Sequence, residues 1–158
     1  MAAESRTQQE TDREIVVSRI IDGPRTLVFD AFTDVKNLGE WWVPEGSSIT
    51  TRTFDFRPGG IWDATIQRPG GSEFPNYIVW KEIAPPERIV WLYYGMGKDD
   101  PQPVQTTLTL AERGTATEAT LRLVFGNKEQ RDQAAQYGAS KGAQQSLDAL
   151  AAYVAGGR

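Results

Sequence analysis

Apolar and polar residues follow different rhythms along this chain, and each change of rhythm marks an element. Residues Glu14–Ile21 (EIVVSRII) are β-branched and apolar almost without a break, which predicts a strand covered in part on both faces. Asp22-Gly23-Pro24 then predicts a helix start, with Asp22 or Gly23 as cap and Pro24 in the first turn. Leu27, Val28, Ala31 and Phe32 share one helical face, so a helix is expected over residues 24–32. Asp34 can cap a second short helix that carries Val35 and Leu38 and runs into Glu40-Trp41-Trp42.

From Ile49 the rhythm is period two. Phe54 and Phe56 fall on one face, Thr53 and Asp55 on the other, and after Arg57-Pro58-Gly59-Gly60 the residues Trp62, Ala64 and Ile66 alternate with Asp63 and Thr65. A two-residue loop would set Phe54 and Phe56 on the face of Asp63. A three-residue loop at Pro58-Gly59-Gly60 sets Phe56 opposite Trp62 and Phe54 opposite Ala64, which keeps one face apolar and is preferred. Arg68-Pro69-Gly70-Gly71 repeats the turn string. Strands follow over residues 74–84, Arg88–Tyr94 and 104–111, and Leu121, Leu123 and Phe125 mark the inner face of the last one. Val104, Thr106, Leu108 and Leu110 share a face, and residues 95–103 form the longest polar loop.

The chain closes with one helix expected over residues 127–154. Asn127 to Gln130 has capping-box spacing, and Gly156-Gly157 ends it. Ala143, Leu147, Leu150, Ala151 and Val154 make an apolar stripe that fades toward Gly138, Ser140 and Gly142. Such a helix anchors at its C-terminal end and leaves space beneath its small-sided middle. The order β-α-α-β6-α predicts an α+β fold, an antiparallel sheet of about seven strands with one face for the helix. One domain is expected over residues 14–155, after a disordered lead-in over residues 1–13.

Composition narrows the chemistry. The chain has 158 residues and a net charge of −4 with no Lys/Arg block, which argues against nucleic acid as a partner. No apolar run is long enough to span a bilayer, so no membrane insertion and a cytoplasmic location are expected. The sequence contains neither histidine nor cysteine. Ser-His-Asp triads, thiolate nucleophiles and His- or Cys-ligated metals are therefore excluded, and any catalysis would rest on carboxylates, Tyr, Lys or water. No catalytic residue, metal ligand or cofactor is assigned.

The ordered strings Glu40-Trp41-Trp42, Pro44-Glu45-Gly46, Arg57-Pro58-Gly59-Gly60-Ile61-Trp62, Ile83-Ala84-Pro85-Pro86-Glu87-Arg88 and Gln145 through Tyr153 resemble the START-like (helix-grip, SRPBCC) superfamily. Within it the chain is similar to the family of the C-terminal domain of the activator of Hsp90 ATPase. The resemblance covers about residues 14–154 and implies a curved sheet wrapped around the C-terminal helix, with a cavity that in many relatives holds an apolar ligand. Relatives commonly place Trp after the glycine of the last helix, where this chain has Gly142-Ala143, and Gly after the Trp-Trp pair, where it has Val43. A methyl in place of an indole should open volume.

The expected ligand-binding set is Trp41, Trp42, Phe54, Phe56, Trp62, Trp80, Trp91, Tyr93, Ala143 and Leu147, with core packing as the alternative role for each aromatic. Asp55 and Asp63 would face each other across the hairpin, away from the apolar face. They could share a proton, but a solvated face, or an Arg or Lys on a neighbouring strand that neutralises them, is preferred. Arg57 is expected to tie its own turn, and the loop 95–103 is either a mouth or an ordinary hairpin loop. Gln144, Gln145 and Asp148 form the wet face of the last helix. Three functions follow. The leading one is non-enzymatic binding of a small hydrophobic or aromatic molecule, with a homodimer left open. The second is a chaperone partner of the Hsp90 type. Eukaryotic activators carry a separate N-terminal domain for that contact, which the 13-residue lead-in does not replace, so no ATPase stimulation by this chain alone is expected. The third is a cyclase- or aromatase-like enzyme, which would need a titratable group inside the cavity.

Overall fold

The computed structural model describes residues 11–156. Strand β1 (Glu14–Ile21) leads into helices α1 (Arg25–Asp30) and α2 (Val35–Trp41). Six strands follow: β2 (Ser48–Phe54), β3 (Ile61–Gln67), β4 (Glu73–Ala84), β5 (Arg88–Tyr94), β6 (Val104–Arg113) and β7 (Ala116–Val124). Helices α3 (Lys128–Gln136) and α4 (Ala139–Gly156) close the chain. The sheet is wholly antiparallel with spatial order β1-β7-β6-β5-β4-β3-β2. This is the helix-grip architecture that the family resemblance implies, built on the antiparallel sheet that the strand pattern predicts.

Consecutive strands from β2 to β7 pair as a meander because short turns join them. The crossover through α1 and α2 carries the chain from one edge of the sheet to the other, so β1 lies beside β7 with Glu14 opposite Val124. The Glu14 carboxylate and the Arg122 guanidinium seal that edge. Of the expected lead-in, residues 1–10 lie outside the described residues, while Arg13 already exchanges backbone and side-chain bonds with Phe125. Pro24 itself takes the cap position of α1 in an extended conformation, in place of the expected Asp22 or Gly23. Asp34 caps α2 as its sequence predicts, accepting from the backbone N–H of Lys36 at 2.8 Å.

Two expectations are corrected. The β2–β3 hairpin pairs Phe54 with Trp62 and Thr53 with Asp63, two residues away from the expected register. The turn is wider because β4 takes its glycines: Gly59 donates to the Trp80 carbonyl at 2.7 Å, and Trp80 donates to Gly60 at 2.9 Å. A Cβ on Gly60 would lie 2.1 Å from the Asp55 carbonyl oxygen, so no other residue fits there. A shift of two preserves the side-chain face, so Phe54 and Phe56 still pack toward the core. It does separate the two carboxylates. Asp63 pairs with Arg52 and Asp55 with Arg57, each at 2.7 Å. Arg52 is an extra residue between the Thr51–Ala64 and Thr53–Asp63 pairs, and this bulge brings Ile49 and Phe54 to the same face despite their odd spacing.

The final helix is two helices. Gly138 adopts φ +91°, a left-handed conformation that ends α3, and its carbonyl accepts the Gly142 N–H at 2.8 Å to start α4. At the other end of α3, Asn127 accepts from the Gln130 N–H, while the Gln130 side chain reaches back to Gly126, one residue before the position a capping box uses. In α4 the expected stripe Ala143, Leu147, Leu150, Ala151 and Val154 is buried.

Candidate functional site

Between α4 and the inner face of the sheet lies a cavity of about 310 Å³. Gly142, Ala143, Ser146, Leu147 and Leu150 line it from α4 at helical spacing. Phe32, Trp41 and Trp42 contribute from the α1–α2 segment and its exit. The sheet supplies alternate residues of its inner face: Ile66 from β3, Asn76 from β4, Trp91 and Tyr93 from β5, Thr106 and Leu108 from β6, and Leu121 and Leu123 from β7. Among the described residues, none that lines the cavity is Asp, Glu, Lys or Arg.

The rings in this wall are held by specific contacts. Phe32 meets Trp41 edge-on with centroids 5.0 Å apart, and Trp41 meets Trp42 at 5.5 Å. The Trp41 indole N–H donates to the Ala31 carbonyl at 3.2 Å, and the Trp42 indole donates to Asn76 Oδ1 at 2.9 Å. The buried Asn76 amide nitrogen has no partner among the described residues. Burial, and after it the nearby Asp100 carboxylate, push the Tyr93 phenol above its ordinary pKa, so it remains a neutral donor and acceptor at physiological pH.

Six of the ten expected ligand-binding residues meet at the cavity: Trp41, Trp42, Trp91, Tyr93, Ala143 and Leu147. Phe54, Phe56, Trp62 and Trp80 do not reach its wall. They lie on the correct face, but the wall rings cover them, with Trp42 contacting Trp62 at 5.1 Å and Trp91 contacting Trp80 at 5.8 Å. Behind that layer Phe54 and Phe56 pack edge-on against Trp80, the latter at 4.8 Å. Sequence alternation marks Thr106, Leu108, Leu121 and Leu123 as inner-face residues without singling them out for the cavity. Ser146 and Leu150 follow Gly142 at i+4 steps. Asn76 is the one polar residue among the inner positions Asn76, Ile78 and Trp80 of β4, and that contrast was its available signal.

A second depression, outside the cavity, shares Trp41, Trp42, Gly142 and Ser146 with it and adds Val43, Pro44, Glu45, Gln145 and Ala149. This depression lies beside the cavity, between residues 43–45 and α4. A Cβ added at Gly142 would meet nothing within 4 Å. No residue of the loop 95–103 lines the cavity, and Asp100 ties that loop to itself through the N–H groups of Met96 and Gln102. Among the described residues no cluster of acidic side chains is arranged to hold a metal, and no helix is long and apolar enough to cross a membrane.

The family described as activator of Hsp90 ATPase homolog 1-like protein matches residues 22–155. The chain belongs to this family. No curated protein matches it. Among solved structures, a Nitrosomonas europaea protein superposes with a TM-score of 0.79 at 24% identity, over 90% of this chain and 94% of its own. An Arthrobacter aurescens protein reaches 0.83 at 19% identity, over 93% and 90%. A protein of the dynemicin biosynthetic locus gives 0.66 at 18% identity, and this chain spans about half of its length (49%). At these identities the likenesses establish the fold alone.

Proposed function

We propose that the protein binds a small, neutral, largely aromatic molecule in the cavity under α4. The observation that carries this reading is the uncharged, ring-rich wall around about 310 Å³, at the small end of the range for ligand pockets. Trp41, Trp42, Trp91 and Tyr93 offer faces and edges for a ring, and Ala143 and Leu147 close over it. The cavity suits a ligand of one or two rings. An ionised ligand would leave water for a wall without a counter-charge, which disfavours it strongly.

The wall supports binding over proton-transfer chemistry. Its one titratable side chain is Tyr93, whose raised pKa makes it a poor base at neutral pH. The test is a thermal-shift screen of aromatic and lipid-like compounds, with native mass spectrometry of protein taken from its own cells. A ligand at about one hundred times its Kd should raise Tm by roughly 5–10 °C. A flat screen together with a ligand-free native mass spectrum would count against binding.

A further inference from the structure

Three buried side-chain atoms lack a hydrogen-bond partner among the described residues: Ser47 Oγ, Asn76 Nδ2 and Trp80 Nε1. Asn76 alone belongs to a residue of the cavity wall. Its amide orientation is fixed by chemistry. An indole N–H can only donate, so the atom 2.9 Å from Trp42 Nε1 must be the Asn76 oxygen, and the free end must be the NH₂ group. Asn76 is 1% exposed, so bulk water does not satisfy that group. A buried donor left unpaired is unfavourable, and native proteins keep few of them.

The strand register gives this donor neighbours. Ile78 pairs with Tyr93, and Trp91 pairs with Thr106. Asn76, Tyr93 and Thr106 therefore lie on one diagonal across β4, β5 and β6, each about 7–8 Å from the next on the same face. All three are neutral hydrogen-bonding groups on the sheet side of a largely apolar wall, with the Ser146 hydroxyl on the α4 side. A carbonyl oxygen has two lone pairs and no charge, so it can accept from the amide and from the adjacent phenol without a counter-ion.

We infer that Asn76 is the specificity-determining residue of the cavity, donating through Nδ2 to the carbonyl oxygen of a neutral ring ketone or related carbonyl compound, with Trp42 as the positioning residue that fixes the amide. This rests on the binding reading above and narrows it to a ligand class. The probes are α-tetralone, a bicyclic ketone, and tetralin, the same rings without the carbonyl, titrated by calorimetry into the full chain and into Asn76→Leu. The unaltered protein should bind the ketone at least about tenfold more tightly than the hydrocarbon. Asn76→Leu should bring the two within about twofold by weakening the ketone alone. On the unaltered protein, the Asn76 side-chain amide resonances should shift with the ketone and stay in place with tetralin, which decides the matter if Asn76→Leu does not fold. Equal binding of both probes would overturn the role of Asn76 and leave the binding reading standing. Failure of both probes to bind would overturn the inference, and with a flat thermal-shift screen it would overturn the binding reading as well.

Discussion

Trp62 and Trp80 are both fully buried, yet their indole nitrogens are treated differently. Trp62 donates to the Thr51 hydroxyl at 3.0 Å, whereas Trp80 has no acceptor among the described residues and meets the Phe56 ring edge-on. Thr51→Val keeps the β-branched shape and removes only the acceptor, so it should lower stability by about 1–3 kcal/mol in urea unfolding. Ala143 presents a single methyl to the cavity. Ala143→Trp should abolish ligand binding in the thermal-shift screen while raising stability by about 0.5–2 kcal/mol, as cavity-filling substitutions do. Tyr93 carries a pH dependence whose sign is fixed by its raised pKa. The neutral phenol is favoured in the folded state, so its contribution is complete below the unfolded value near 10 and is lost as pH rises through the folded value. In an ultraviolet titration, Tyr93→Phe should remove the tyrosine step that titrates above that ordinary value.

At the scale of elements, Gly138 separates a wet helix from an anchored one. α3 buries no side chain, whereas α4 buries its stripe against the sheet and β1. A Cβ at Gly138 would touch nothing within 4 Å, so Gly138→Ala should cost only the left-handed backbone penalty, about 1–2 kcal/mol by chemical denaturation. The sequence already held that glycine, but a capped run of polar helix formers before it and an apolar stripe after it read as one helix, because neither signal reports a change of backbone sign. The β2–β3 hairpin is the complementary case. Its apolar face was legible because a register error of two keeps every side chain on its side. The pairing itself was not, because Gly59 and Gly60 bond across to Trp80, a contact that local alternation does not encode. The same limit applies to the site. Alternation placed Trp62 on the apolar face and gave no face to Trp80, and only the packing of Trp42 and Trp91 over these two decides which rings line the cavity.

In the whole molecule the first strand is joined to the last, so the sheet on which α4 rests is complete only when Glu14 and Val124, far apart in sequence, have met. What this arrangement forms is a largely apolar, partly open pocket of about 310 Å³ that the unfolded chain does not possess. Hydrostatic pressure acts on that difference. Unfolding volumes of ordinary domains lie near −20 to −100 mL/mol and scale with the internal void lost. This protein should fall at the more negative end. Under pressure followed by tryptophan emission, it should unfold at a lower midpoint than Ala143→Trp, and a bound ring compound should move the midpoint upward. Compression would then register occupancy of the space under α4 in a protein that carries its own reporters, Trp41, Trp42 and Trp91, in the cavity wall.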